Sequence, residues 1–142
     1  MKNKKGFTLI ELLVVIAIIG VLALIGLRVY SDQQEKAKNA IVIANASTVH
    51  TLIQGDLSDH DYNANPSNDV LTNIGGNATP AATSLANMKN PYNASGNIAV
   101  VGIIGSGNEG EVIVDWISTN YFQIQGIGAN NAATGEVLTA IR

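Results

Sequence analysis

One carboxylate, Glu11, stands alone in the run FTLIELLVVIAIIGVLALIGL that covers residues 7–27. A charged side chain in hydrocarbon costs roughly 2.5 kcal/mol or more at mid-bilayer and as a rule marks function, so Glu11 calls for a partner of opposite charge. Along its own helix none lies within reach once Lys5 is set aside, so a cation on another chain is expected. The alternative is a glutamate near a helix end whose carboxylate snorkels to the interface.

Three other constellations have the residue types for chemistry. Asp59, Asp61, Asn63 and Asn65 alternate as the first oxygen ligands of an EF-hand loop do, and such spacing can converge on Ca²⁺. The sixth position is Ala64 instead of glycine and the twelfth is Val70 instead of glutamate, so a solvated loop with no metal is expected. Gly105-Ser-Gly107-Asn-Glu-Gly110 spells G-x-G-x-x-G, but the EVIVDWIS that follows is a strand, not the helix a pyrophosphate needs, and a hairpin turn is expected. His50 and His60 are the only histidines and have no serine context resembling a triad, so both are read as structural. Trp116, Tyr121 and Phe122 are read as core aromatics, not as a stacking platform. With no cysteine there is no disulfide, thiolate metal site or cysteine nucleophile. No catalytic constellation and no cofactor are expected.

The elements that position Glu11 follow from hydropathy. The chain is 46% hydrophobic and 13% charged over 142 residues, and the surplus lies in residues 7–27. At 1.5 Å per residue that run makes a helix of roughly 32 Å, enough for a hydrocarbon core of about 30 Å. Lys2, Lys4 and Lys5 ahead of it place the N-terminus in the cytoplasm and residues 28–142 outside. A secretory signal has an apolar region of only about 7–15 residues. Here the helical pattern instead continues to about Gln54, with Gly55 as its stop. Along residues 28–54 an apolar stripe of Tyr30, Ala37, Ile41, Ala44, Thr48 and Leu52 is expected to face the core. Residues 55–97, rich in Asn, Asp, Ser, Gly and Pro, read as a long connection with one short strand or helical turn. Strands are expected at 98–104, 111–118, 121–127 and 136–141, with Val112, Val114 and Trp116 on one face and Phe122 and Ile124 beside them. The fold class is α+β: a long N-terminal helix packed against a C-terminal antiparallel sheet of about four strands.

Gly6-Phe7-Thr8-Leu9-Ile10-Glu11 after a lysine-rich leader resembles the class III signal of type IV pilins and pseudopilins. The resemblance covers residues 1–30 by motif and extends along the helix to about 54. It implies the pilin fold, cleavage between Gly6 and Phe7 by a prepilin peptidase, N-methylation of Phe7, and a charge pair between Glu11 and the new amino group of Phe7. Many members have a helix-kinking proline near the position of Arg28, which this chain lacks; Gly20 and Gly26 are where its helix can stretch. The resemblance implies a homo-oligomeric helical filament, a membrane stage before assembly, and dependence on an assembly ATPase and inner-membrane platform proteins. Adhesion, motility or DNA uptake, with surface or DNA ligands, are the associated roles. Two other readings stand beside it: a pseudopilin of a type II secretion or competence system, and a single-pass anchored binding module that never polymerises.

Overall fold

The structure, a computed structural model, describes residues 6–62, 67–74, 88–93 and 98–142. In chain order it contains α1 (Leu9–Asp59), α2 (Ser67–Ile74), β1 (Ala99–Val101), β2 (Val112–Ser118), β3 (Tyr121–Ile127), a 3₁₀ turn (Ala129–Asn131) and β4 (Ala133–Ile141). Two compact units divide the chain, Met1–Glu35 and Lys36–Arg142.

In the first unit the described residues are helical from Leu9 onward and have no tertiary partner among the described residues. From Leu9 to Val29 every large apolar side chain is exposed, among them Leu9 at 81% and Leu24 at 72%. The helix needs no tertiary contact to close its backbone hydrogen bonds, which is what allows such a segment to lie in hydrocarbon.

In the second unit α1 packs on one face of the sheet. The buried helix positions are Val42, Asn45, Ala46, Val49, Ile53 and Leu57. This is not the expected stripe, since Ile41, Ala44 and Thr48 are exposed. The helix is apolar on adjacent sides here, at Ile41, Val42 and Ile43, so periodicity alone leaves the face open and the sheet selects it. Gly126 makes the selection concrete: a Cβ there would lie 2.6 Å from Val42 Cγ1, so the strand approaches the helix at Val42 through the missing side chain. Gly55 does not stop α1, which runs four residues further, and His60 N still donates to Asp56 O at 2.8 Å. A helical glycine costs about 1 kcal/mol relative to alanine, and the burial of Ile53 and Leu57 on either side of Gly55 offsets it.

The sheet order is β1-β2-β3-β4, and β2, β3 and β4 are antiparallel neighbours. Val114 opposes Ile124 and Trp116 opposes Phe122, which puts Val112, Val114, Phe122 and Ile124 into the core against Val49, Ile53 and Leu57. One expectation is corrected: β1 pairs with β2 in parallel, making the sheet mixed. Gly105, Gly107 and Gly110 therefore belong to a crossover and not to a hairpin turn. All three have positive φ, and a Cβ on Gly107 would meet Ile113 Cδ1 at 2.5 Å, so the loop lies tightly on the sheet face opposite α1.

The connection after α1 also contributes more than expected. Val70, Leu71 and Ile74 of α2 are buried in the main core. β4 begins at Ala133, three residues before its expected start, because Gly135 at φ 75 accommodates a register shift that the ladder absorbs. The outer edge of β4 is occupied by helix side chains. Gln54 Nε2 donates to Ile141 O at 2.6 Å, Ile141 N donates to Gln54 Oε1 at 3.2 Å, and His50 Nε2 lies 2.9 Å from Thr139 O. The Gln54 amide thus imitates one rung of a missing strand and blunts an edge that would otherwise recruit another chain.

Candidate functional site

The site is built where α1 begins. Four N–H groups at a helix start have no intrahelical acceptor, and Thr8 and Glu11 satisfy two of them reciprocally. Thr8 N donates to Glu11 Oε2 at 2.8 Å, and Glu11 N donates to Thr8 Oγ1 at 3.3 Å. Thr8 Oγ1 also donates to Glu11 Oε2 at 2.8 Å. Leu12 N then accepts its place in the ladder by donating to Thr8 O at 3.3 Å. This is a capping box, Thr-x-x-Glu immediately before an apolar run. The carboxylate also sits where the helix macrodipole favours negative charge.

The arrangement explains how Glu11 is tolerated at the end of an apolar helix. One oxygen, Oε2, has two donors from its own chain. Glu11 Oε1 has none among the described residues, so half of the carboxylate stays available to a cation. Phe7, whose side chain is 87% exposed, directly precedes the cap. Thr8 was missed by the reading of charges alone; the signal for it is the sequence T-x-x-E itself.

The other expected sites are placed as follows. Gly20 and Gly26 lie inside α1, and a Cβ on either would meet nothing within 4 Å. Lys2, Lys4 and Lys5 lie outside the described residues, as do Asn63 and Asn65. Asp59 is the exposed last residue of α1. Asp61 Oδ1 accepts from Asn120 Nδ2 and lies 3.6 Å from Arg142 Nη1. No group of three or more metal-ligating His, Cys, Asp or Glu occurs among the described residues. His60 Nδ1 lies 2.9 Å from Asp56 Oδ1, and the same Asp56 takes a hydrogen bond from Tyr62 Oη. Phe122 is fully buried and Trp116 packs partly buried against the same core.

A second polar cluster holds the loop region together. Asn39 Oδ1 accepts from Tyr92 Oη at 2.8 Å and from Ala129 N at 3.2 Å, while Lys38 Nζ stands 5.0 Å from the centre of the Tyr92 ring. Asn90, 5% exposed, donates through Nδ2 to Glu109 O and accepts from Tyr92 N and Asn93 N. These contacts fasten residues 88–93 to α1 and to the crossover loop.

Residues 1–27 match the family model for the prokaryotic N-terminal methylation motif. The chain is 35% identical over 92 residues to a fimbrial protein of Dichelobacter nodosus, covering 65% of this chain and 57% of that one. It is 34% identical over 104 residues to fimbrial protein Q of Moraxella bovis, covering 72% and 66%. A shorter match, 45% over 58 residues, joins it to fimbrial protein EcpB of Eikenella corrodens, covering 41% of this chain and 36% of that one. The chain thus spans less than two thirds of the length of these curated relatives. No solved structure matches it. Capped at its start, apolar on every side through residue 27 and folded beyond residue 36 as a helix on a four-stranded sheet, with the methylation motif at its head, the chain is similar to the fimbrial proteins of the type IV pilin family.

Proposed function

We propose that this chain is a structural subunit of a type IV pilus, cut between Gly6 and Phe7 by a prepilin peptidase and N-methylated on Phe7. It then assembles through residues 7–27 into an extracellular filament. The observation that carries the reading is the unburied apolar helix with its single carboxylate. Phe7, Leu9, Ile10, Leu12 and their successors are exposed and have no partner among the described residues, so they require lipid first and other apolar helices afterwards. Exchanging lipid for neighbouring copies keeps the same surface out of water in both states.

Glu11 gives the exchange a register. A carboxylate and the ammonium of Phe7 on a neighbouring copy neutralise one another, and breaking such a pair once buried costs about 3–5 kcal/mol because one bare charge remains. Filament growth and retraction would rest on an assembly ATPase and inner-membrane platform proteins. Adhesion, motility or DNA uptake through surface or DNA ligands are the roles such a filament serves.

Mass spectrometry of the mature chain tests the reading directly. The expected N-terminus is Phe7 with one added methyl group, and the chain is expected in filaments sheared from the cell surface. A retained leader, or a chain confined to the membrane as a single-pass anchor, would defeat it.

A further inference from the structure

We infer that the polar cleft beside the crossover loop receives Lys36 of a second copy of this chain. The inference rests on the reading above that copies pack side by side along α1 in a filament.

The cleft, about 460 Å³, is lined by Asn90 and Tyr92 from the segment before β1, by Asn108, Glu109 and Glu111 from the crossover, and by Asn131 after β3. Its carboxylates have neutral donors only. Glu111 is 8% exposed, and its Oε2 accepts from Asn108 N at 2.8 Å and from Asn108 Nδ2 at 3.2 Å. Glu109 Oε1 accepts from Asn130 N at 2.6 Å, while Oε2 has no donor among the described residues. The ion pairs among the described residues are His60 with Asp56 and Arg142 with Asp61, so neither cleft glutamate has a counter-charge there. Buried charges are as a rule paired, because an uncompensated one is costly.

The basic residues of the chain are few enough to be taken one by one. Once Lys2, Lys4 and Lys5 leave with the leader, Arg28, Lys36, Lys38, Lys89 and Arg142 remain, and all of them are described. Arg142 is occupied by Asp61 and by His60 O, and Lys38 stands over the Tyr92 ring. Lys89 precedes Asn90 on the cleft's own wall, so a neighbour's Lys89 would arrive only if two equal faces met about a two-fold axis, whereas a filament is built head to tail. Arg28 lies between the exposed Leu27 and Val29, in the compact unit of the apolar segment. Lys36 is exposed on the exported half of α1, three residues before Asn39, whose Oδ1 holds the cleft residue Tyr92 through its Oη at 2.8 Å. Three residues are about 4.5 Å along a helix, so in parallel copies with a small axial offset Lys36 stands near the level of the neighbour's cleft. Its ammonium brings three donors on a flexible stem to an acceptor-rich site.

Carbodiimide, which joins a carboxylate to an amine only where the two touch, reads the contact in the unaltered full chain. In sheared parent filaments the peptide containing Lys36 is expected to be joined to the one containing Glu109 or Glu111, and in detergent-dispersed subunits that product is expected to be absent. Charge reversal reads the effect on assembly. Lys36→Glu and Glu109→Lys are each expected to lower filament yield about ten-fold, the coupling of one close charge pair across an interface, and the double variant is expected to regain most of it. Glu111→Gln separates this role from a purely structural one. It is expected to lower filament yield while the unfolding midpoint of dispersed subunits stays or rises, because the lone subunit loses an uncompensated charge.

Lys36→Glu changes an exposed helix position, so its yield is readable even if Glu109→Lys misfolds; a parent-like yield overturns the inference. A cross-link from Lys38 or Lys89 in place of Lys36, or one already formed in dispersed subunits, overturns it as well. Rescue of Glu109→Lys by Arg28→Glu and not by Lys36→Glu does the same. A Glu111→Gln chain with a lowered midpoint and full filament yield makes that glutamate structural and removes the cleft's role in assembly. A parent chain that forms no filaments defeats the functional reading itself, whereas parent filaments without the Lys36 product defeat this inference alone.

Discussion

Glu11 and Thr8 show how one residue's cost becomes another's function. The carboxylate is expensive in an apolar helix, yet at the third helical position it repairs the helix start that the apolar residues cannot repair themselves. At the same scale Gly110 is constrained by a neighbour and not by its turn alone. It has φ 82, and a Cβ there would fall inside the side chain of the buried Asn90. Gly110→Ala is expected to destabilise the chain by about 2–4 kcal/mol, through left-handed strain and lost Asn90 hydrogen bonds. Chemical denaturation of the detergent-solubilised protein, followed by the fluorescence of the single tryptophan, Trp116, measures it; an unchanged midpoint would refute the clash. Asp61 bears on calcium. Its Oδ1 already accepts from Asn120 and faces Arg142, so calcium and chelator are expected to give the same unfolding midpoint. A rise with calcium would show that the alternating Asp and Asn residues do bind the ion.

At the scale of elements, α1 and β4 are joined through side chains that behave as backbone. Gln54 makes two hydrogen bonds to Ile141, and His50 reaches Thr139. Removing the amide in Gln54→Ala is expected to cost about 1–2 kcal/mol and to speed amide exchange at Ile141, without touching the β2–β3 ladder. Equal acceleration across all three antiparallel strands would mean that the edge is not a separate unit. The contact between α1 and β3 is set by absence of a side chain. Gly126→Ala is expected to push against Val42 and lower stability by about 1–3 kcal/mol, whereas the pair Gly126→Ala with Val42→Ala is expected to recover part of the loss. A strictly additive double mutant would place the strain elsewhere.

The whole molecule carries its charge unevenly. Loss of residues 1–6 would remove Lys2, Lys4 and Lys5, leaving five basic against eleven acidic side chains, a net charge of −6 in place of −3. Filaments built from such subunits repel one another through like charge, and the range of that repulsion shrinks from about 30 Å at 0.01 M salt to about 10 Å at 0.1 M. Lateral bundling of sheared filaments is therefore expected to rise with salt over that interval, as seen by sedimentation or light scattering. Bundling that falls with salt would mean that opposite-charge contacts, not apolar ones, join the filaments.

The apolar segment, its single carboxylate, the methylation motif and the strand at Tyr121–Ile127 were legible in the sequence, because each is local. Continuous hydropathy, a lone charge within it, a short leader motif and period-2 alternation depend on residues within a few positions of one another, as does the T-x-x-E cap that the reading of charges passed over. What the tertiary structure decided involves partners far apart. Val42 faces inward instead of Ile41 because Gly126, 84 residues later, lets a strand come close. Gly55 stays helical because Ile53 and Leu57 are buried on either side of it, and Gly105 to Gly110 turn into a crossover because β1 has its pairing partner in parallel. A glycine in the sequence announces only that the backbone is free there; which of its conformations is used is settled by what packs against it.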